Sequence, residues 1–84
     1  MHEYSIVASL VERVGQIAAD HPRAVVRRIH VRIGDRAGVE RVLLQTAYDT
    51  FRARSVCEHA DLAIEAVAGD ELILQRVEME VPDV

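Results

Sequence analysis

Eighty-four residues, half of them hydrophobic, suffice for one domain with a small core. Such a chain buries only about 60–65% of its unfolded surface, so a bound metal, a partner or a homodimer interface is an expected source of further stability. The net charge of −4 excludes attraction to nucleic acid by charge, and the single cysteine, Cys57, excludes an internal disulfide and a zinc site built from thiolates.

Tyr4 to about Asp20 reads as a helix. Val7, Leu10, Val11, Val14, Ile17 and Ala18 recur at spacings of three and four and form one apolar stripe. Ser5 is placed to cap its start. His21-Pro22 closes it, because the residue before proline is pushed out of the helical region. Val25 to Ile33 reads as a strand with one wet face, since Ile29, Val31 and Ile33 alternate with Arg28, His30 and Arg32. Gly34-Asp35 ends it with turn chemistry.

Gly38 to about Arg54 reads as a second helix, with Val39, Leu43, Leu44, Ala47, Tyr48 and Phe51 as its stripe. Glu40 falls in the first turn, facing the positive end of the helix dipole. Ala60 to Val67 reads as a strand with Leu62, Ile64 and Ala66 on one face, and Glu71 to Val81 as another. In this last strand Leu72 and Leu74 have the opposite parity to Val77, Met79 and Val81, which predicts a bulge near Gln75-Arg76. The turn at Ala68-Gly69-Asp70 is so short that the two strands are expected to form an antiparallel hairpin. The order predicts an α+β fold, α-β-α-β-β, with two helices on one face of a three-stranded sheet. Its expected core is Leu10, Val14, Ile29, Val31, Ile33, Leu44, Ala47, Phe51, Leu62 and Ile64.

The opening Met1-His2-Glu3 carries the most specific chemistry. The α-amine of Met1, the amide of His2 and its imidazole can close two fused chelate rings on one ion. Nitrogen donors in a plane suit Ni(II) or Cu(II). Met1 is expected to be retained, because a residue as large as His2 blocks removal of the initiator. The other histidines read as structural or solvated: His21 at the helix end, His30 on the wet strand face, His59 in a loop. Cys57-Glu58-His59 has too few ligands for a metal corner. No phosphate loop, nucleophile–base pair or carboxylate pair is present, so the reading is not an enzyme. The first residues lack the basic and apolar regions of a signal peptide, and no apolar run is long enough to span a bilayer. A cytoplasmic protein without membrane association is expected.

These residues resemble the HypA/HybF nickel metallochaperones. The likeness runs from Met1-His2-Glu3-Tyr4-Ser5-Ile6-Val7 through Val31-Arg32-Ile33-Gly34-Asp35, Gly38-Val39-Glu40, Ala47-Tyr48-Asp49-Thr50-Phe51 and Ala60-Asp61-Leu62-Ala63-Ile64. It ends in Gly69-Asp70-Glu71-Leu72 and Val77-Glu78-Met79-Glu80. The opening tripeptide is the specific part, and the other matches persuade through their order. The resemblance implies that Met1 and His2 hold nickel transiently, with Glu3 and Glu40 as nearby supports. It implies delivery to a nickel enzyme precursor, a [NiFe]-hydrogenase large subunit, with a maturation GTPase as a further partner. The family's zinc insert, with two Cys-x-x-Cys pairs, is missing here: Ala66-Val67-Ala68-Gly69-Asp70 runs directly across, and no structural zinc is expected. The alternative is a metal-free relative that keeps the fold and docks on a hydrogenase or a maturation partner.

Overall fold

A computed structural model describes residues 2–82. The order is α1 (Glu3–Ala19), β1 (Val25–Gly34), α2 (Arg41–Phe51), β2 (Asp61–Val67) and β3 (Leu72–Glu80), the α+β arrangement expected from the sequence. Both helices pack on one face of the sheet. Val7 and Val14 of α1, Leu44, Ala47 and Tyr48 of α2, and Val26, Ile29, Val31 and Ile33 of β1 form one buried cluster. Ile29, Val31 and Ile33 face the helices because side chains two apart on a strand share a face.

The expected hairpin is not formed. β1 lies between the other two strands, in the order β2-β1-β3. β2 runs parallel to β1 (Ile29 opposite Leu62, Val31 opposite Ile64), and β3 runs antiparallel to it (Ile29 opposite Val77, Ile33 opposite Leu72). The chain between Val67 and Leu72 therefore crosses the end of β1. The crossing spans two strand spacings, about 9.6 Å, within the roughly 13 Å that four extended residues reach. Backbone bonds hold it down: Gly34 N–H donates to Glu71 O at 2.7 Å, Asp35 N–H to Val67 O at 2.8 Å and Arg36 N–H to Gly69 O at 2.8 Å. The Asp35 carboxylate accepts from Gly69 N–H at 2.9 Å. Only glycine fits at position 34, where a Cβ would lie 2.1 Å from Gly69 O. Gly69 itself turns at φ +113°, a region that L side chains rarely adopt.

The parity switch of β3 is a bulge. The pairing steps from His30–Arg76 to Val31–Leu74, which leaves Gln75 unpaired. The extra residue lets Leu72 and Leu74 face the helices together with Val77 and Met79. A second shift leaves Arg27 unpaired between Val26 and Arg28.

Four local expectations need correction. Phe51 is 39% exposed, not core. It ends α2, and its ring meets that of Tyr4, centroids 5.9 Å apart, at the rim of the helix pair. Tyr48 takes the buried place instead, and its hydroxyl donates to Ala60 O at 2.7 Å, tying the loop before β2 to α2. His30 is not freely solvated: its side chain is 19% exposed and pairs with Glu78 across the sheet. Ser5 does not cap α1. The N-cap position is His2, whose side chain makes no cap bond. Leu10, Leu62 and Ile64 are partly buried against the core rather than enclosed by it, because two helices are too narrow to cover both sheet edges.

Candidate metal centre

The N-terminus of α1 and the N-terminus of α2 meet through one side chain. Glu3, in the first turn of α1, is 7% exposed, and its Oε2 accepts the Glu40 N–H at 2.9 Å. Glu40 is the N-cap of α2, and its own carboxylate turns back to accept Val42 N–H at 3.2 Å. Helix N-termini leave unpaired N–H groups that attract anions. Glu3 thus fills an acceptor position that water would otherwise take. The Glu40 amide holds the Glu3 carboxyl below its ordinary range. Desolvation opposes that shift, while Glu3's own amide and the charge of His2 reinforce it.

His2 is exposed beside this junction, and its carbonyl accepts Ile6 N–H at 3.1 Å, the first bond of α1. His2 is among the residues that line a groove of about 450 Å³ between α1 and β3. Of the four residues expected at the site, Glu3 and Glu40 are joined by a hydrogen bond at the head of the two helices, and His2 stands exposed just before Glu3. Met1 lies outside the described residues. The link from the Glu3 carboxylate to the Glu40 backbone was not read from the sequence. Its one signal was an acid in a helix first turn on the side that carries Val7 and Val14. Among the described residues, no three His, Cys, Asp or Glu side chains converge as a metal cluster.

Cys57 is fully buried, and burial pushes its thiol up, whereas Glu58 and His59 are exposed, so the tripeptide does not converge. Burial also raises the Tyr48 hydroxyl, which remains a donor to the loop. On the uncovered sheet face, the His30 imidazole holds the Glu78 carboxyl below its ordinary range, and Arg76 pairs with the same carboxylate at 3.4 Å.

Comparison with known proteins adds the decisive observation. A family model described as "Hydrogenase/urease nickel incorporation, metallochaperone, hypA" matches residues 1–79. The chain belongs to the HypA family. The hydrogenase maturation factor HypA of Shewanella baltica (strain OS185) is 46% identical over 65 residues, covering 77% of this chain and 56% of that protein. HypA of Helicobacter hepaticus is 37% identical over 84 residues, covering 99% of this chain and 64% of that one. The solution structure of the Ni metallochaperone HypA from Helicobacter pylori superposes with a TM-score of 0.67 at 30% identity, covering 90% of this chain and 72% of that one. The chain spans between about half and two thirds of the length of these curated relatives. The family match includes the head of α1, where His2 and Glu3 sit.

Proposed function

We propose that this chain binds Ni(II) at the head of α1 and passes it to a nickel enzyme precursor, the large subunit of a [NiFe]-hydrogenase, with a maturation GTPase as a further partner. The observation that carries the reading is the family match over residues 1–79, described by nickel incorporation. The local geometry agrees with it. α1 begins only at Glu3, so the His2 imidazole is exposed and the amides at the head of the helix have no intrahelical acceptor. The donors are the Met1 amine, the His2 amide and the His2 imidazole, with Met1 taken as the first residue of the mature chain. A cation there meets the unfavourable positive end of the α1 dipole, and the Glu3 carboxylate offsets it. Glu40 supports the site through its amide, by holding Glu3 in place. The site is open, and its amide reprotonates readily, so the metal can leave. The reading assigns no catalysis to the chain and no structural zinc.

Nickel titration by calorimetry tests this reading, using untagged protein whose intact mass confirms Met1. One Ni(II) per chain is expected, with binding that strengthens as pH rises, because protons compete for all three donors. His2→Ala and a chain extended by one residue before Met1 should both lose most of it. Equal binding by all three proteins would refute the chelate and leave the metal-free docking relative as the reading.

A further inference from the structure

The edge of the sheet at β3 is guarded along only half its length. Beyond the bulge at Gln75, the strand carries Arg76, Glu78 and Glu80, charges of the kind that discourage pairing with another chain. Before the bulge it reads Leu72-Ile73-Leu74, with no charge. Leu72 is 40% exposed and Ile73 43% exposed, and β3 has a hydrogen-bonded neighbour, β1, on one side only. This bare half opens on the groove of about 450 Å³, whose floor includes Val31, Leu44 and Leu74 and whose far wall is Ile6 and Leu10 of α1. The groove runs along α1 from His2 to Arg13. Those two positions are about 16 Å apart along a helix, the length of about five extended residues.

Arg13 closes one end. Its Nη1 donates to the Gln16 side chain at 3.3 Å, a neutral partner, so its charge is available to an incoming carboxylate. We propose that this groove docks an extended peptide segment of a partner protein by strand addition to Leu72–Leu74. Alternate apolar side chains of the segment enter between α1 and the sheet, and a carboxylate at its end meets Arg13. Main-chain bonds to the free edge supply affinity, and the apolar groove supplies selection for alternating side chains. The inference does not depend on nickel, since none of the groups it uses is a proposed ligand, although His2 at the far end would place the docked segment beside the metal.

The test is fluorescence anisotropy of the full chain with a short fluorescein-labelled peptide that alternates leucine and threonine and ends in a free carboxylate. Saturable binding is expected. It should be lost in Leu72→Glu, which loads the bare edge with charge at an exposed position, and in Ser9→Trp, which fills the groove from the surface of α1. Arg13→Glu, or amidation of the peptide's carboxylate, should weaken binding by about two- to fivefold, as for an exposed ion pair. Circular dichroism is the check that each variant is folded. Absence of binding at about 1 mM peptide, or binding by both groove variants equal to that of wild type, overturns the proposal. A concentration-dependent dimer in sedimentation that Leu72→Glu dissolves also overturns it, assigning the edge to a second copy of the chain.

Discussion

Removal of a single hydroxyl, Tyr48→Phe, tests how the loop between α2 and β2 is held. Tyr48 and Ala60 are both fully buried, and the hydroxyl donates to Ala60 O at 2.7 Å, an optimal O–H···O distance. Its second approach, to Cys57 O at 3.4 Å, is weak. A net hydrogen bond contributes about 0.5–1.5 kcal/mol, and a buried acceptor left without its donor raises the cost to about 1–3 kcal/mol. The ring itself is kept, so no cavity term is added. A domain of this size loses roughly 4–8 °C of melting temperature per kcal/mol, so a fall of about 5–20 °C is expected. Urea titration should show a lower midpoint with an unchanged slope. Burial raises the Tyr48 pKa, so the phenol remains a donor, and the difference from wild type should stay constant from about pH 6 to pH 9. A change below about 0.3 kcal/mol would refute the strap, and a smaller slope would mean that the loop detaches in the native state.

Phe51→Ala should cost about 1–2 kcal/mol, below the 3–5 kcal/mol of a buried phenylalanine, because the ring is 39% exposed and stands mainly against Tyr4; a larger loss in thermal unfolding would place it in the core. Gly34→Ala should destabilise by about 1–3 kcal/mol or more, since its Cβ has no room beside Gly69 O, whereas Gly15→Ala in α1 meets nothing within 4 Å and should stabilise by about 0.5–1 kcal/mol; equal melting of the two variants would contradict the crossing. The His30 imidazole holds the folded Glu78 carboxyl below its ordinary range, so its stabilising contribution is fully present above about pH 4.5 and is lost as pH falls through the lower folded value. Glu78→Gln should therefore differ from wild type in chemical denaturation at neutral pH and converge with it in acid; a gap that widens in acid would reverse the assignment.

Much of this protein is legible in its residues alone because local physics decides it. The three- and four-residue spacings of α1 and α2 and the alternation of β1 set which elements form and which faces turn inward. The parity switch between Leu74 and Val77 locates the bulge at Gln75, since a strand cannot change faces without an extra residue. The metal site proposed at Met1-His2-Glu3 rests on donor chemistry, which needs no fold to be argued. The partner of each strand is different, because pairing joins residues far apart in sequence. The short connection after β2 argues for a hairpin, and a strand–helix–strand run argues equally for β1 and β2 lying parallel. The choice rests on burial: with β1 central, its apolar face lies under both helices, while the less enclosed β2 and β3 take the edges. Gly34 permits that choice by letting the crossing chain lie directly on it. The same long-range placement sets Glu3 against the Glu40 amide, pairs His30 with Glu78 and moves Phe51 to the rim. None of these pairs is close in sequence, so only the tertiary structure brings them together.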